Sequence, residues 1–453
     1  MENNKIRTKL IATLGPATSS YETIKDMIDN GANAFRINFS HGSHDEAKQL
    51  IELARRAESD SGSLVPLIAD LQGPTVRLDE FKQFDAVRGK KYEISENGEI
   101  PLSSDVFYKL VEVGDIVIID GGRLWAKVES KNGNSVIVSF IVDGTLSSKK
   151  TVAIQGKEYP LNSPTDKDLA DLKFAMEMGM DGVAMSFVKT SDDIKKLRSK
   201  ILELGGSMFI IAKIETISAV NNITEIINAA DYVLIARGDL GSHFPIVKIP
   251  ELEREIIRQS LSYGKPTIVA TQLLESMINN PIPTRAEITD VFMAVSIGAD
   301  ALMVSGETAV GRYPVEVIKW LRDIAREGEA YYKGKPRVEG LDIYDKFAEG
   351  VANLGELIDG KLVAVTSTGK TPQRLARFRP KSDIIAVCQD RPTAKKIMLT
   401  WGVKPVVIED EKNEQAIIER LKGMSLIKPG DKVVMTRSLK QGVTDAIRII
   451  EVN

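Results

Sequence analysis

The chain has a single cysteine, Cys388, among its 453 residues. An internal disulfide is therefore impossible, and a cysteine-built metal site is excluded. It has almost no net charge: 60 Lys and Arg stand against 63 Asp and Glu, a formal balance of −3. Such a surface offers no global attraction to nucleic acid or to an anionic membrane. No apolar run approaches the roughly 18 residues that cross a bilayer. The opening MENNKIRTKL has basic residues but no apolar stretch after them, so it is not read as a secretory leader. The expected compartment is the cytoplasm. Low-complexity segments and short-period repeats are missing as well. What is present is a soluble, globular composition, 43% hydrophobic and 27% charged, over a length that calls for two to four domains.

Short apolar runs recur with amphipathic helical patterns between them. They are KLIATLG (9–15), AFRINFS (34–40), VPLIADLQG (65–73), DGVAMSFV (181–188), MFIIAKIE (208–215), YVLIARGDLG (232–241), PTIVATQLLE (266–275) and DALMVSGETAVG (300–311). Apolar strands alternating with helices mean a parallel sheet covered on its faces. Eight such units predict an α/β fold with a closed (β/α)8 barrel; an open doubly wound sheet is the alternative. Between 79 and 159 the pattern changes to short alternating strands split by NG and GG turns, the signature of hairpins. This predicts a small β-barrel domain inserted after the third barrel strand. The expected divisions are 1–78 with 160–335 for the catalytic barrel, 79–159 for the insert, and 336–453 for a C-terminal α/β domain.

The reactive face of such a barrel lies at the carboxyl ends of its strands. Read in turn, those ends carry Thr13, then Arg36, Asn38 and Ser40, then Asp70 and Arg77, then Ser186, Lys213 with Glu215, Asp239, Thr271, and Ser305 with Glu307. Lys213 and Glu215 are two apart on a strand and share a face. Glu215 and Asp239 are two carboxylates, a donor set that suits Mg²⁺. Arg36, Arg77 and Lys213 supply positive charge for an anion such as phosphate. Carboxylate-held metal plus clustered cations is the equipment of phosphoryl transfer. Each residue also has a plainer reading. Lys213 and Glu215 can be a structural ion pair, Asp239 a cap, Asn38 and Ser40 turn formers. His41 can cap or face solvent, and Cys388 can be core. It is the convergence of so many strand ends that favours a site.

The segments FRINFSHG, IADLQGPTVR, AKIET, ARGDLG, ATQLLESM, PTRAEITDV and SGETAVGRYP resemble, in order and over nearly the whole chain, those of the pyruvate kinase family. The resemblance implies transfer of phosphate from phosphoenolpyruvate to ADP, giving pyruvate and ATP, with Mg²⁺ or Mn²⁺. By the same resemblance, Glu215 and Asp239 hold the metal. The amides of Gly238 and Asp239 cradle the substrate carboxylate, Arg36 grips the phosphate, Lys213 neutralises charge on the phosphoryl group and the enolate, and Thr271 helps deliver the proton. Asn38, His41, Arg77 and Lys150 fall on the nucleotide side, with Asp120 and Lys150 in a lid formed by the insert. The loop Thr366, Ser367, Thr368, Gly369, Lys370 and Thr371 resembles the family's sugar-phosphate effector loop; a strand–helix connection with a Thr cap is the plainer reading. A homotetramer is implied by analogy.

Family members that need K⁺ hold it at positions that are Asn38, Ser40, Asp70 and the Leu71 carbonyl here. The position after GP is Glu in those members and Lys in the K⁺-independent branch; here it is Thr75. Leu71, Gln72 and Leu78 look more like the independent branch, so substantial activity without K⁺ is expected. Two other functions compete: a metal-dependent lyase or aldolase working through a pyruvate enolate, and a non-catalytic ligand-binding relative.

Overall fold

The computed structural model describes residues 6–332, 341–409, 413–437 and 446–453. Eight parallel strands close into a barrel: Lys9–Leu14, Ala34–Asn38, Leu67–Asp70, Gly182–Met185, Phe209–Ile214, Tyr232–Ala236, Thr267–Ala270 and Ala301–Met303, the last pairing with the first. Their apolar continuity follows from burial on both faces. One set of alternate residues (Ile11, Ala34, Ile68, Ala184, Phe209, Ile211, Tyr232, Leu234, Ala236, Ile268, Ala270, Ala301 and Met303) fills the barrel interior. The other set, with Leu10, Phe35, Leu67, Ile210 and Val233 among it, packs outward under the helices.

One reading of the strands is corrected. The run YVLIARGDLG is strand only through Ala236, and Arg237–His243 is a short helix. The residues of ISAVNNITEIINAA form two helices, Ile217–Asn221 and Ile223–Ala229, meeting at Asn222.

The inserted segment has its own core, including Tyr92, Ile94, Phe107, Val117, Val138 and Phe140. Its strands form a six-stranded sheet and a separate two-stranded ribbon. The expected closure into a small barrel is therefore a half-barrel. The ribbon pairs Phe84–Ala86 with Gly144–Leu146 and stays apart from the main sheet.

The C-terminal region is a five-stranded sheet in the order Val403–Val407, Ile384–Cys388, Lys361–Thr366, Lys432–Arg437 and Ala446–Glu451, with only the last strand antiparallel. Cys388 is fully buried there, and burial pushes its thiol up to about 12. The expected boundary at 335/336 lies outside the described residues. This region closes the amino-end face of the barrel. Leu399 joins the barrel's interior cluster, and Arg379 makes a two-pronged contact to Asp300 at 2.9 and 3.0 Å. Lys395 reaches Glu58 at 2.9 Å, and Lys396 reaches Asp231 at 2.9 Å.

Candidate active site

Strand parity builds the site. Side chains two residues apart share a face. Two residues beyond the interior positions Ile11, Ala34, Ile68, Ala184, Ile211 and Met303 stand Thr13, Arg36, Asp70, Ser186, Lys213 and Ser305. The topmost inward layer is thus polar on six strands, where the layers below are apolar. Register brings particular pairs side by side: Thr13 is level with Arg36, and Asn38 with Asp70.

Arg36 is almost fully buried. Its Nε donates to Asp70 Oδ2 at 2.6 Å and its Nη1 to Thr13 Oγ1 at 3.0 Å. Lys213 Nζ donates to Ser186 Oγ at 2.7 Å, and lies 2.8 Å from Glu215 Oε1 and 3.3 Å from Asp70 Oδ1. Ser186 Oγ in turn donates to the Leu71 carbonyl at 2.7 Å. Burial works against the Lys213 charge, yet Asp70 and Glu215 outweigh it and raise the ammonium's pKa. Lys213 is therefore a fixed cation. Asp70, shared by Lys213 and Arg36, is held below the usual carboxylate range although burial opposes it.

Glu215 and Asp239 behave in the opposite way. Burial pushes Glu215 up, and the nearby charge of Asp239 adds to it, despite Lys213. Asp239 is also raised by burial, with Asp70 reinforcing the shift against Lys213. Two carboxylates crowded in this way invite a cation. Glu215 Oε2 accepts the Phe187 amide at 2.8 Å, which fixes one oxygen. Among the described residues no group of three or more His, Cys, Asp and Glu could hold a metal. A two-carboxylate, oxygen-only donor set fits a hard divalent ion that keeps open positions for ligands.

Thr271 and Gln272 follow the strand Thr267–Ala270 in left-handed conformations, φ +69° and +53°. Two consecutive non-glycine residues there store roughly 1–3 kcal/mol each. The Gly238 amide donates to Thr271 Oγ1 at 2.9 Å, so this amide, expected to meet a substrate carboxylate, is engaged with Thr271. Glu307 does not face the mouth chemistry: it is buried and accepts the Ser305 amide at 2.7 Å.

On the opposite side Arg77 Nε donates to Thr75 Oγ1 at 3.2 Å and its Nη1 to the Lys149 carbonyl at 3.0 Å. Lys150 pairs with Asp120 at 3.0 Å within the insert. His41 is exposed on the rim; partial covering, then Arg77, Arg36 and Lys150, lower its pKa. Asn38 Oδ1 accepts the Ser40 amide at 3.0 Å, so its turn-forming reading holds as well. Beside Arg36 and Asn38 opens a cavity of about 860 Å³ with Pro16, Leu50, Leu53 and Val310 on its walls. The insert touches the barrel rim through Arg123 with Glu275 at 2.6 Å, and through Glu158, which accepts the Ser218 amide and hydroxyl at 2.7 and 2.6 Å.

The effector-loop candidates lie apart from this mouth, between the strand Lys361–Thr366 and the helix Lys370–Arg377. Thr366 Oγ1 accepts the Gly369 amide at 2.9 Å, while Ser367, Thr368 and Lys370 are exposed and Thr371 is half-buried. Gly369 has φ +81°, and a Cβ there would meet Ile397 Cγ2 at 2.2 Å, so only glycine fits.

Reasoning from the sequence passed over two residues that matter here: Phe187, whose amide holds Glu215, and Arg237, whose guanidinium holds the Thr271–Gln272 turn. A backbone donor leaves no compositional trace. Arg237 sat in view within ARGDLG, and an arginine inside an apolar strand end was the available signal.

The chain matches the family model "Pyruvate kinase, barrel domain" over residues 5–318 and "Pyruvate kinase, alpha/beta domain" over 351–450. It is 36% identical to "Pyruvate kinase 2" of Synechocystis over 98% of this chain and 79% of that one. It is 35% identical to "Pyruvate kinase" of Thermococcus litoralis over the full length of both. The crystal structure of pyruvate kinase from Pyrobaculum aerophilum superposes with a TM-score of 0.88 at 32% identity, covering 98% of this chain and 99% of that one.

Proposed function

This chain belongs to the pyruvate kinase family and transfers phosphate from phosphoenolpyruvate to ADP, and from that premise we propose how its residues divide the work. The observation that carries the proposal is Lys213, a buried cation fixed between Ser186, Glu215 and Asp70. Fixed charge aimed at a migrating phosphoryl group needs no reorganisation when the group moves. Arg36 grips the phosphate beside it. Glu215 and Asp239 hold the divalent metal that the family requires, Mg²⁺ or Mn²⁺; when bound it supplies charge neutralisation to the phosphoryl oxygens and the enolate. The substrate carboxylate takes the amides of Asp239 and Gly238, the latter exchanging its bond to Thr271 Oγ1. Thr271 then orients the proton for the methylene carbon, directly or through water.

Arg77, Asn38, His41 and Lys150 serve the nucleotide phosphates, and the adjoining 860 Å³ cavity receives the nucleoside. The insert acts as a lid whose closure excludes water from the phosphoryl group. The loop 366–371 binds a phosphorylated metabolite through its exposed Ser367 and Thr368. A homotetramer is supported by apolar side chains left in the open, Val247 at 81% and Ile246 at 63% exposure. A cytoplasmic location follows from the glycolytic activity; among the described residues no helix is long and apolar enough to cross a membrane.

K⁺ is not required in this reading. Asn38 Oδ1 is engaged by the Ser40 amide, the Leu71 carbonyl by Ser186, and Asp70 by Arg36 and Lys213. Thr75 adds no negative charge for a cation to balance. The test is the rate in tetramethylammonium buffer titrated with KCl at constant ionic strength, which holds screening fixed. Substantial activity without K⁺ is expected; a rise of two or more powers of ten on adding it overturns the proposal. Calorimetry with sugar phosphates and nucleotides tests the loop, where binding by none of them removes the effector reading.

A further inference from the structure

Arg237 precedes the Gly238–Asp239 pair, yet its guanidinium does not enter the mouth. It is 7% exposed and anchored by two carboxylates: Glu253 at 3.4 Å, on the helix Ile249–Ser262, and Asp290 at 2.7 Å, on the helix Arg285–Ser296. Burial opposes the guanidinium's charge, and these two carboxylates more than restore it. Its Nη2 donates to the Thr271 carbonyl at 2.8 Å and to the Gln272 carbonyl at 3.2 Å. Those carbonyls belong to the two consecutive left-handed residues. An ordinary strand end would leave the turn to relax; here one guanidinium nitrogen, Nη2, holds both carbonyls while Nη1 is tied to Glu253 and Asp290.

We propose that Arg237 is a positioning residue for the protonation step: its guanidinium, fixed by Glu253 and Asp290, locks the Thr271–Gln272 turn through Nη2 and thereby aims the Thr271 hydroxyl. The inference rests on the reading that Thr271 directs the proton. In that step the C=C electron pair of the enolate takes a proton at the methylene carbon, and the enolate oxygen becomes the ketone of pyruvate. The need for a second hold is specific. A substrate carboxylate that captures the Gly238 amide removes the backbone hydrogen bond that holds Thr271 Oγ1. Arg237 then remains to keep the residue in its left-handed conformation, working from behind the strand end without touching substrate. Phosphoryl transfer, which depends on Lys213 and Arg36, does not need that aim.

The test compares Arg237→Lys with Thr271→Val in the intact enzyme. Lysine keeps a cation near Glu253 and Asp290, but one ammonium with three hydrogens cannot serve both carboxylates and both carbonyls at once. Three readouts are taken: ATP formation from phosphoenolpyruvate and ADP, exchange of the pyruvate methyl hydrogens with solvent deuterium, and the facial selectivity of protonation on isotopically labelled phosphoenolpyruvate. Arg237→Lys is expected to slow deuterium exchange by about 10-fold or more, to lower facial selectivity, and to change ATP formation by less than about 3-fold with KM for phosphoenolpyruvate unchanged. A merely structural role moves all rates together and leaves selectivity alone, and that pattern overturns the proposal. If Thr271→Val exchanges like the wild type, the proton-delivery reading falls and the aim of the clamp falls with it. If Thr271→Val is defective and Arg237→Lys is not, the clamp alone is overturned. Should Arg237→Lys fail to fold, Asp290→Asn, at a side chain 41% exposed, carries the same test. It is expected to lower exchange relative to ATP formation by about 2–3-fold, and an unchanged ratio counts against the clamp.

Discussion

The two ends of the barrel use the same side chains for opposite purposes. At the amino-end face Arg379 and Lys395 are each matched to a carboxylate and sealed with it. Arg379 and Asp300 are 2% and 4% exposed, and Lys395 and Glu58 are 8% and 4% exposed. Asp300 also accepts the Trp401 and Thr267 amides. At the carboxyl-end mouth Lys213 and Arg36 are equally fixed, but Glu215 and Asp239 are pushed up rather than down. A sealed pair holds domains together; a crowded, unbalanced set waits for a ligand. Charge at a strand end therefore says little until the sign of its imbalance is known.

The largest effect expected from breaking this contrast lies at the mouth. Replacing 79–159 with a short linker removes the lid and one wall of the nucleotide site. Phosphoryl transfer should collapse by about 10³-fold or more, while deuterium exchange at the pyruvate methyl survives better. Equal losses in a well-folded protein would falsify the lid assignment.

Next comes the sealed face. Arg379→Met leaves Asp300 buried without its partner and should cost about 3–5 kcal/mol of stability, read as a lower denaturant midpoint. The kcat of the folded fraction should stay near wild type. A large loss of kcat with unchanged stability would place Arg379 in the chemistry and erase the contrast.

The smallest effect is a pH dependence. Burial opposes the charge of Glu58, but Lys395 and Arg55 outweigh it and set its pKa below the ordinary 4.5. Its folded-state pKa is thus depressed. The stabilisation is complete above the unfolded value, near pH 4.5, and is lost as pH falls through the lower folded value. Lys395→Met should flatten the acid limb of a stability-against-pH curve in that window. An unchanged limb means that other carboxylates carry it.

Much of this was legible beforehand. Eight apolar runs become eight strands because burial on both faces forces near-continuous hydrophobicity, and on six of them the polar residue two places past the last interior position was visible by parity. The boundary in YVLIARGDLG was not, because Ala236 and Arg237 suit strand and helix alike, and the turn depends on contacts to Thr271 from another strand. The insert's hairpins were legible, but whether its sheet closes depends on packing that no local pattern carries. The sealed pairs were also hidden. Arg379 and Asp300 lie 79 residues apart, and neither sits in a motif. The effector loop reads the same as a strand–helix connection because glycine at 369 is demanded by Ile397 whatever the loop binds.

The most direct measurement is pyruvate formation from phosphoenolpyruvate, with and without ADP and a divalent metal, by the wild type and by Lys213→Met. The wild type should require both. Lys213→Met should melt like the wild type, lose about 10²–10³-fold or more in kcat, and keep most of its affinity for phosphoenolpyruvate. Near-normal turnover by a folded Lys213→Met enzyme would contradict the account.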